Sequence, residues 1–404
     1  MRRSGSADLP LHYGSVPPWL LERMSRLSLA MTEIIIADYG QKGFLSRLSN
    51  PFWFQSFGAV TGMDWHSSGI TTSIMGVLKR MLNPRSKELG IYVCGGKGQV
   101  SRNTPVELIR IADLTGLDAT SLVRTSKLCA RVDNNAVQDG YQIYLHNFIL
   151  SAQGDWTVIQ QGMNESAATA RRYHWHSANV NSFVEDPHSG IAGINVGQIL
   201  NLADKKAAVT RDAIPGLTKE NPQELLKEID RLLLPAHHDV RLEDVNMKRL
   251  GAALWLAKDK QPRGFEELLL LDGTGPRTIQ SLALVSEVMH GTPSRFNDPA
   301  RFSFAHGGKD GHPFPVPTKT YDETLQVLES AVQRAKIGIT DKNDAIKRLH
   351  AIALDSEKNF TPAAGSFGKI IDAENANSWR YGGRTVMGKA VRPGRKVSTQ
   401  LRLF

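Results

Sequence analysis

Between Phe265 and Gly291 the chain reads FEELLLLDGTGPRTIQSLALVSEVMHG, two apolar stretches joined by a turn with two glycines. Leu268 to Leu271 form a helical apolar stripe, and Ile279, Leu282, Ala283 and Val285 resume a helical face. Gly273 and Gly275 allow backbone angles and close approaches that side chains forbid. The spacing therefore predicts two short helices and a hairpin. The hairpin would present unpaired N–H groups at a helix N-terminus, where the dipole favours anions, with Arg277 and Thr278 as further donors. A G-x-G between helices is also an ordinary packing turn, so the second reading is structural.

The segment resembles the helix-hairpin-helix motif of DNA-repair and recombination proteins, which implies that Gly273, Gly275, Arg277 and Thr278 contact one DNA strand. Charge agrees with a polyanionic partner: 49 Lys and Arg stand against 40 Asp and Glu, a net charge of +9. From Asn377 onward Arg380, Arg384, Lys389, Arg392, Arg395, Lys396 and Arg402 occur without an acidic residue, interleaved with Trp379 and Tyr381. Such a tail can neutralise phosphates and stack on bases, or be a solvated end.

The expected architecture is an α/β or α+β domain over 1–195, an all-α domain with the hairpin over 196–355, and a basic tail over 356–404. In the first, a helix is predicted at Glu107 to Ala112 and strands at Leu89 to Val93, Gln142 to Leu150 and Trp156 to Gln160, the last two as a hairpin. In the second, helical spacing runs over Gln223 to Leu234, Met247 to Ala257, Glu323 to Ala335 and Asn343 to Leu354, with no strand required after Ile191. Ser294 to Thr320 reads as an ordered loop on the hairpin. Only Cys94 and Cys129 are present, which excludes a disulfide framework and a four-thiolate zinc site. No apolar run reaches the roughly 18 residues of a spanning helix. The expectation is a cytoplasmic, nucleoid-associated protein whose partner is DNA and not a membrane, with homodimerisation left open.

The runs DLPLHYG, PPWLLERM, RLSNPFWFQSFG, MDWHSSGITTS, GGKGQVSRNTP, VQDGYQIYLHNF, VIQQGMN, ARRYHWHS and DPARFSFAHGGKDGHPFPVP resemble the signature blocks of an uncharacterised prokaryotic family, domain of unknown function number 763. The resemblance implies a DNA-related role and carries over no mechanism.

Candidate chemistry comes from the residues. Alternate residues on a strand face one side, so Asp64 with His66, or His174 with His176, could each offer two metal ligands; Asp139 and His146 join them as candidates. The alternative is hydrogen-bonded core histidines. Nucleases built on a sheet place acidic groups on neighbouring strands around Mg²⁺. Here Asp133 and Asp139 precede the Gln142 to Leu150 strand, Gln160 and Gln161 stand where a carboxylate and lysine would be expected, and Lys97 could reach the phosphate from another loop. Lys97 in GGKG, with Ser101, Arg102 and Thr104, suggests an anion-binding loop, Thr104 capping the helix that follows. Asp298 lies about where a helix-hairpin-helix glycosylase keeps its aspartate, although Arg277 replaces the Schiff-base lysine of bifunctional members. His306, Lys309, Asp310 and His312 form a further constellation suited to metal binding or proton transfer, with Lys309 also a candidate DNA contact; the alternative is a rigid loop whose charged groups lock its own backbone.

The combined reading is a DNA-processing enzyme, a nuclease dependent on Mg or Mn, with Zn as the alternative metal. In it Lys97, Asp133, Asp139, His146 and Gln160 are catalytic, and Arg102, Lys309 and the hairpin hold DNA. The alternatives are a non-catalytic DNA-binding scaffold and a monofunctional glycosylase.

Overall fold

The computed structural model describes residues 18–63, 68–165, 167, 169–217, 220–224, 226–227, 247–300 and 318–358, with the short pieces 9–10, 376, 384–385 and 388–389. Asp64, His66, His306, Lys309, Asp310, His312 and most of the basic tail lie outside the described residues.

In chain order the elements are β1 (Leu9–Pro10), α1 (Pro18–Leu48), α2 (Pro51–Thr61), α3 (Gly69–Leu82), α4 (Ser86–Leu89), β2 (Ile91–Lys97), α5 (Thr104–Thr115) and α6 (Ala119–Arg131). A π-turn over Val132–Ala136 leads to β3 (Val137–Gln138), β4 (Gln142–Ser151), β5 (Trp156–Asn164), β6 (Thr169–His176), β7 (Gly190–Ala192) and β8 (Gln198–Asn201). Then follow α7 (Ala208–Leu217), α8 (Met247–Lys260), α9 (Phe265–Leu270), α10 (Pro276–His290), β9 (Phe296–Asn297), α11 (Thr318–Arg334) and α12 (Ile339–Lys358).

The main sheet has the order β1-β6-β5-β4-β2, with β7 also on β6, and every pairing is antiparallel. The fold is thus α+β. Helices cover both faces, which explains why β5 and β6 read as near-continuous buried runs instead of a clean alternation. One face places Tyr92, Phe148, Val158 and Trp175 in a core with Leu108, Leu122, Leu250, Phe265, Leu282 and Val285. The other places Val93, Ile149 and Ile159 with Met31, Phe54, Ile74, Leu328 and Leu349.

These cores run across the boundary expected between residues 195 and 196. Residues 250–285 pack on one face of the strands, and residues 328–352 on the other, so the later helices have no core separate from the sheet. Strands also occur after Ile191: β8 pairs with β3 and β9, joining the predicted first and second regions. The β4–β5 hairpin and the helices at 104–115, 247–260, 318–334 and 339–358 form where periodicity placed them, each longer than expected.

One buried ion cluster ties the segments. The Arg171 guanidinium on β6, with no exposed side-chain surface, binds Asp298 through two bonds of 2.9 and 2.8 Å and Asp139 at 2.8 Å. The carboxylates have further donors: Tyr173 O–H and Tyr141 N–H to Asp139, and Val196 and Ala300 N–H to Asp298. Removing one partner of a buried ion cluster leaves charge without compensation, typically costing about 3–5 kcal/mol. Asp298→Ala is expected to lower unfolding free energy by about that amount in guanidinium denaturation. A loss below about 1 kcal/mol would contradict the role assigned to the cluster.

Candidate functional site

The predicted catalytic group converges on the core face of the sheet as a buried polar chain. Ser126 on α6 meets His146 Nε2 at 2.8 Å, and His146 Nδ1 meets Gln160 Oε1 at 2.8 Å. The Gln160 amide N–H groups reach Asp133 Oδ2 at 2.5 Å and the Cys129 carbonyl at 3.1 Å. Those two acceptors require the nitrogen end of the amide, so its oxygen faces His146, Nδ1 donates, and Nε2 accepts from the Ser126 hydroxyl. Asp133 also accepts from Trp175 Nε1 at 2.9 Å and His188 Nε2 at 2.5 Å. The structure therefore brings Asp133, His146 and Gln160 together, as the sequence suggested, but with their hydrogen-bonding capacity turned inward and all three side chains buried.

Asp139 and the paired histidines are not joined to this group as metal ligands. Asp139 is held by Arg171, Tyr173 and the Tyr141 amide. His174 donates from Nδ1 to the Leu48 carbonyl at 3.0 Å and accepts at Nε2 from Arg172 Nε at 2.8 Å, which leaves no lone pair for a metal. His176 places Nδ1 3.1 Å from both Thr157 Oγ1 and the Trp156 carbonyl. Among the described residues no group of three or more His, Cys, Asp or Glu is arranged to hold a metal ion. Asp298, the candidate aspartate of the glycosylase reading, has its oxygens engaged by Arg171 and two backbone amides inside the core.

Exposed chemistry gathers at one end of the sheet, where β2 ends and β4 begins. Gly95 has φ +83°, and a Cβ there would lie 2.1 Å from the His146 carbonyl oxygen, so the strand accepts only glycine at this point. The turn that follows carries exposed Lys97 and Arg102. Thr104 does not cap α5 with its side chain; its hydroxyl donates to the Ser101 carbonyl at 2.7 Å instead. A cleft of about 350 Å³ opens between α3 and this end of β2 and β4, bordered by Thr72, Met75, Lys79, Arg80, Lys97 and Asn147. Lys79 is anchored to Glu107 at 2.6 Å and to the Gly95 carbonyl at 2.8 Å, whereas Arg80 is exposed. The β4–β5 register shifts between Ile143 and Leu145. At this bulge Lys97 Nζ sits 5.8 Å from the Tyr144 ring centroid, and the Tyr144 hydroxyl accepts from Gln161 at 2.7 Å.

The glycine hairpin docks at the same end, on the other face. Its inward carbonyls are tied down: Thr274 O accepts from Arg131 at 2.9 Å and Asn135 at 3.0 Å, and Pro276 O accepts from Gln138 at 2.7 Å. Asn134, next to Asn135, accepts from the Ile143 amide at the start of β4, which places the hairpin by the strand end that carries Lys97. Gly273 has φ +84° and is exposed, as is Arg277, whereas Thr278 is buried and its hydroxyl does not face solvent. Asp272 stands exposed in the same turn, 4.0 Å from Arg131.

Sequence reasoning missed Arg171, Lys79, Arg80 and Asn147. Arg171 and Arg172 are adjacent in a strand otherwise buried, and a charged pair there is the signal for internal ion partners. Nothing in the local spacing marks the others.

The fold and its exposed end define a three-layer α+β protein with a cationic rim. The chain belongs to the family described as "Protein of unknown function (DUF763)", which it matches over residues 5–316. Neither the curated proteins nor the solved structures contain a match to it.

The buried histidines set a pH dependence. Burial holds the His146 imidazole below its ordinary value, and burial with the Arg172 charge holds His174 well below. In the unfolded chain both protonate near about pH 6.5. Folding stability from the neutral rings is therefore present above that pH and lost as pH falls towards their folded values. Burial raises the Asp139 carboxyl, which acts in the opposite sense at lower pH, because its folded form keeps a proton longer than the unfolded one. Unfolding free energy is expected to fall from about pH 7.5 to 5.5, by up to about 1.4 kcal/mol per pH unit for each histidine. A flat or rising denaturation midpoint over that interval contradicts the neutral assignment.

Proposed function

We propose that this protein binds DNA through the phosphate backbone at the open end of its sheet. The observation that carries the reading is the hairpin at 271–276: donors from Arg131, Asn135 and Gln138 hold its carbonyls against the protein, and Arg277 stands free at the start of α10. The Thr274 amide is spent on the Leu271 carbonyl, so a phosphate would draw on the amides of Gly273 and Gly275, beside a helix N-terminus whose partial charge favours an anion. Lys97, Arg80 and Arg102 lie at the same end and extend the positive rim. The net charge of +9 supports a polyanionic partner, against which the exposed Asp272 in the turn acts as a like charge.

Metal-dependent cleavage is the narrower form of this proposal. Asp133, Asp139, His146 and His174 are spent on internal hydrogen bonds, so cleavage would draw on other residues, with Asp64 and His66 outside the described set. Binding without turnover is the form the geometry supports best.

Fluorescence anisotropy on labelled duplex DNA tests it. Arg277→Glu is expected to weaken binding about tenfold or more, and Arg277→Ala to reduce the salt slope by about one phosphate contact. Gly275→Ala isolates the hairpin backbone, because a Cβ there meets no atom within 4 Å and its φ of −106° suits any residue. Binding that is unaffected by all three substitutions would remove the hairpin from the interface.

A further inference from the structure

The cleft between α3 and the end of β2 joins two cations of the rim, Lys97 and Arg80, to features that backbone binding does not use. Asn147, 1 % exposed, borders it; the side-chain nitrogen donates to the Cys94 carbonyl at 3.2 Å, but Oδ1 has no hydrogen-bond partner. A buried acceptor left without a donor is costly, and natural cores rarely keep one without a ligand or water to satisfy it. Met75, Val100 and Leu145 supply apolar wall, and Lys97 and Arg80 supply cations. At about 350 Å³ the space lies at the small end of ligand pockets, which span roughly 300–1,000 Å³. Gly76 on α3 leaves one wall open: no atom lies within 4 Å of where its Cβ would be.

We propose that this cleft holds one nucleotide, with the base between the apolar walls, an exocyclic amino group donating to Asn147 Oδ1, and the phosphate against Lys97 and Arg80. The requirements select the ligand class. Inorganic phosphate cannot reach the apolar wall and Asn147 together, and an unphosphorylated nucleoside leaves the cations unused. Adenine, cytosine and guanine nucleotides carry all three features, and uracil and thymine nucleotides lack the amino group. The nucleotide is either free or the terminal unit of a strand. This inference does not rest on the hairpin reading, since no hairpin residue borders the cleft.

Isothermal titration of the full chain tests it with adenosine 5′-monophosphate, adenosine, inorganic phosphate and a 5′-phosphorylated oligodeoxyadenylate. The monophosphate is expected to bind at one site, and adenosine and phosphate each about tenfold more weakly or worse. Lys97→Ala is expected to weaken the monophosphate about tenfold. Gly76→Leu is expected to abolish binding without lowering the thermal midpoint, because leucine fills open space and favours helix over glycine. An oligonucleotide that binds and is displaced by the monophosphate identifies a strand end as the source; monophosphate binding alone identifies a free nucleotide. Arg277→Glu should leave monophosphate binding unchanged, which separates this site from the hairpin. No binding of either phosphorylated probe, or binding that survives Gly76→Leu, overturns the proposal.

Discussion

The buried guanidinium of Arg171 is the point on which three distant stretches of the chain depend. It sits on β6, yet its carboxylate partners come from the turn before β4 and from the segment after β9. A cation with no exposed surface must be answered by nearby anions, and those anions must have other donors of their own. Tyr173, Tyr141, Val196 and Ala300 meet that demand. The consequence is that residues 298–300 are fixed against the sheet. The small β3-β8-β9 sheet is held beside them, and with it the end of the π-turn on which the glycine hairpin rests.

Covering both faces of the sheet decides what the polar residues can do. With helices on either side, the strand interior has no water to satisfy a histidine or glutamine, so each finds a fixed internal partner. Ser126, His146, Gln160 and Asp133 form one such chain, and Arg172 with His174 another. Gln160 stands between the His146 imidazole and the Asp133 carboxylate, and the whole chain joins α6 to the sheet beneath it. Exposed chemistry is left at the strand ends, where the bulge at Tyr144 breaks the β4–β5 ladder and Lys97 is exposed.

Much of the fold was legible because periodicity reports burial. The β4–β5 hairpin, the helix after Thr104, and α8, α11 and α12 all follow from apolar spacing. The sharing of two cores by the early and late halves of the chain was not legible, since periodicity gives the buried face of a helix and not what it is buried against. For the site, type and proximity were read better than role. Asp133, His146 and Gln160 do come together, but a sequence cannot say whether the convergence opens to solvent. Asp139 and Asp298 looked like catalytic carboxylates because nothing local betrayed Arg171 as their shared partner. Lys97 stood out through its glycines, whereas Asn147 and Arg80 have no spacing signature and meet it only through the pairing of β4 with β2 and the packing of α3 on β2.

Hydrogen–deuterium exchange on the full chain, with and without duplex DNA, tests the central claim most directly, because it maps contact along the backbone without any substitution. The account predicts protection confined to the turn after β2, about Gly95 to Asn103, and to the hairpin from Asp272 to Ile279, with the buried strands β5 and β6 unchanged. Protection elsewhere, or none at DNA concentrations that saturate binding, would contradict the assignment of the sheet's open end as the phosphate-binding surface.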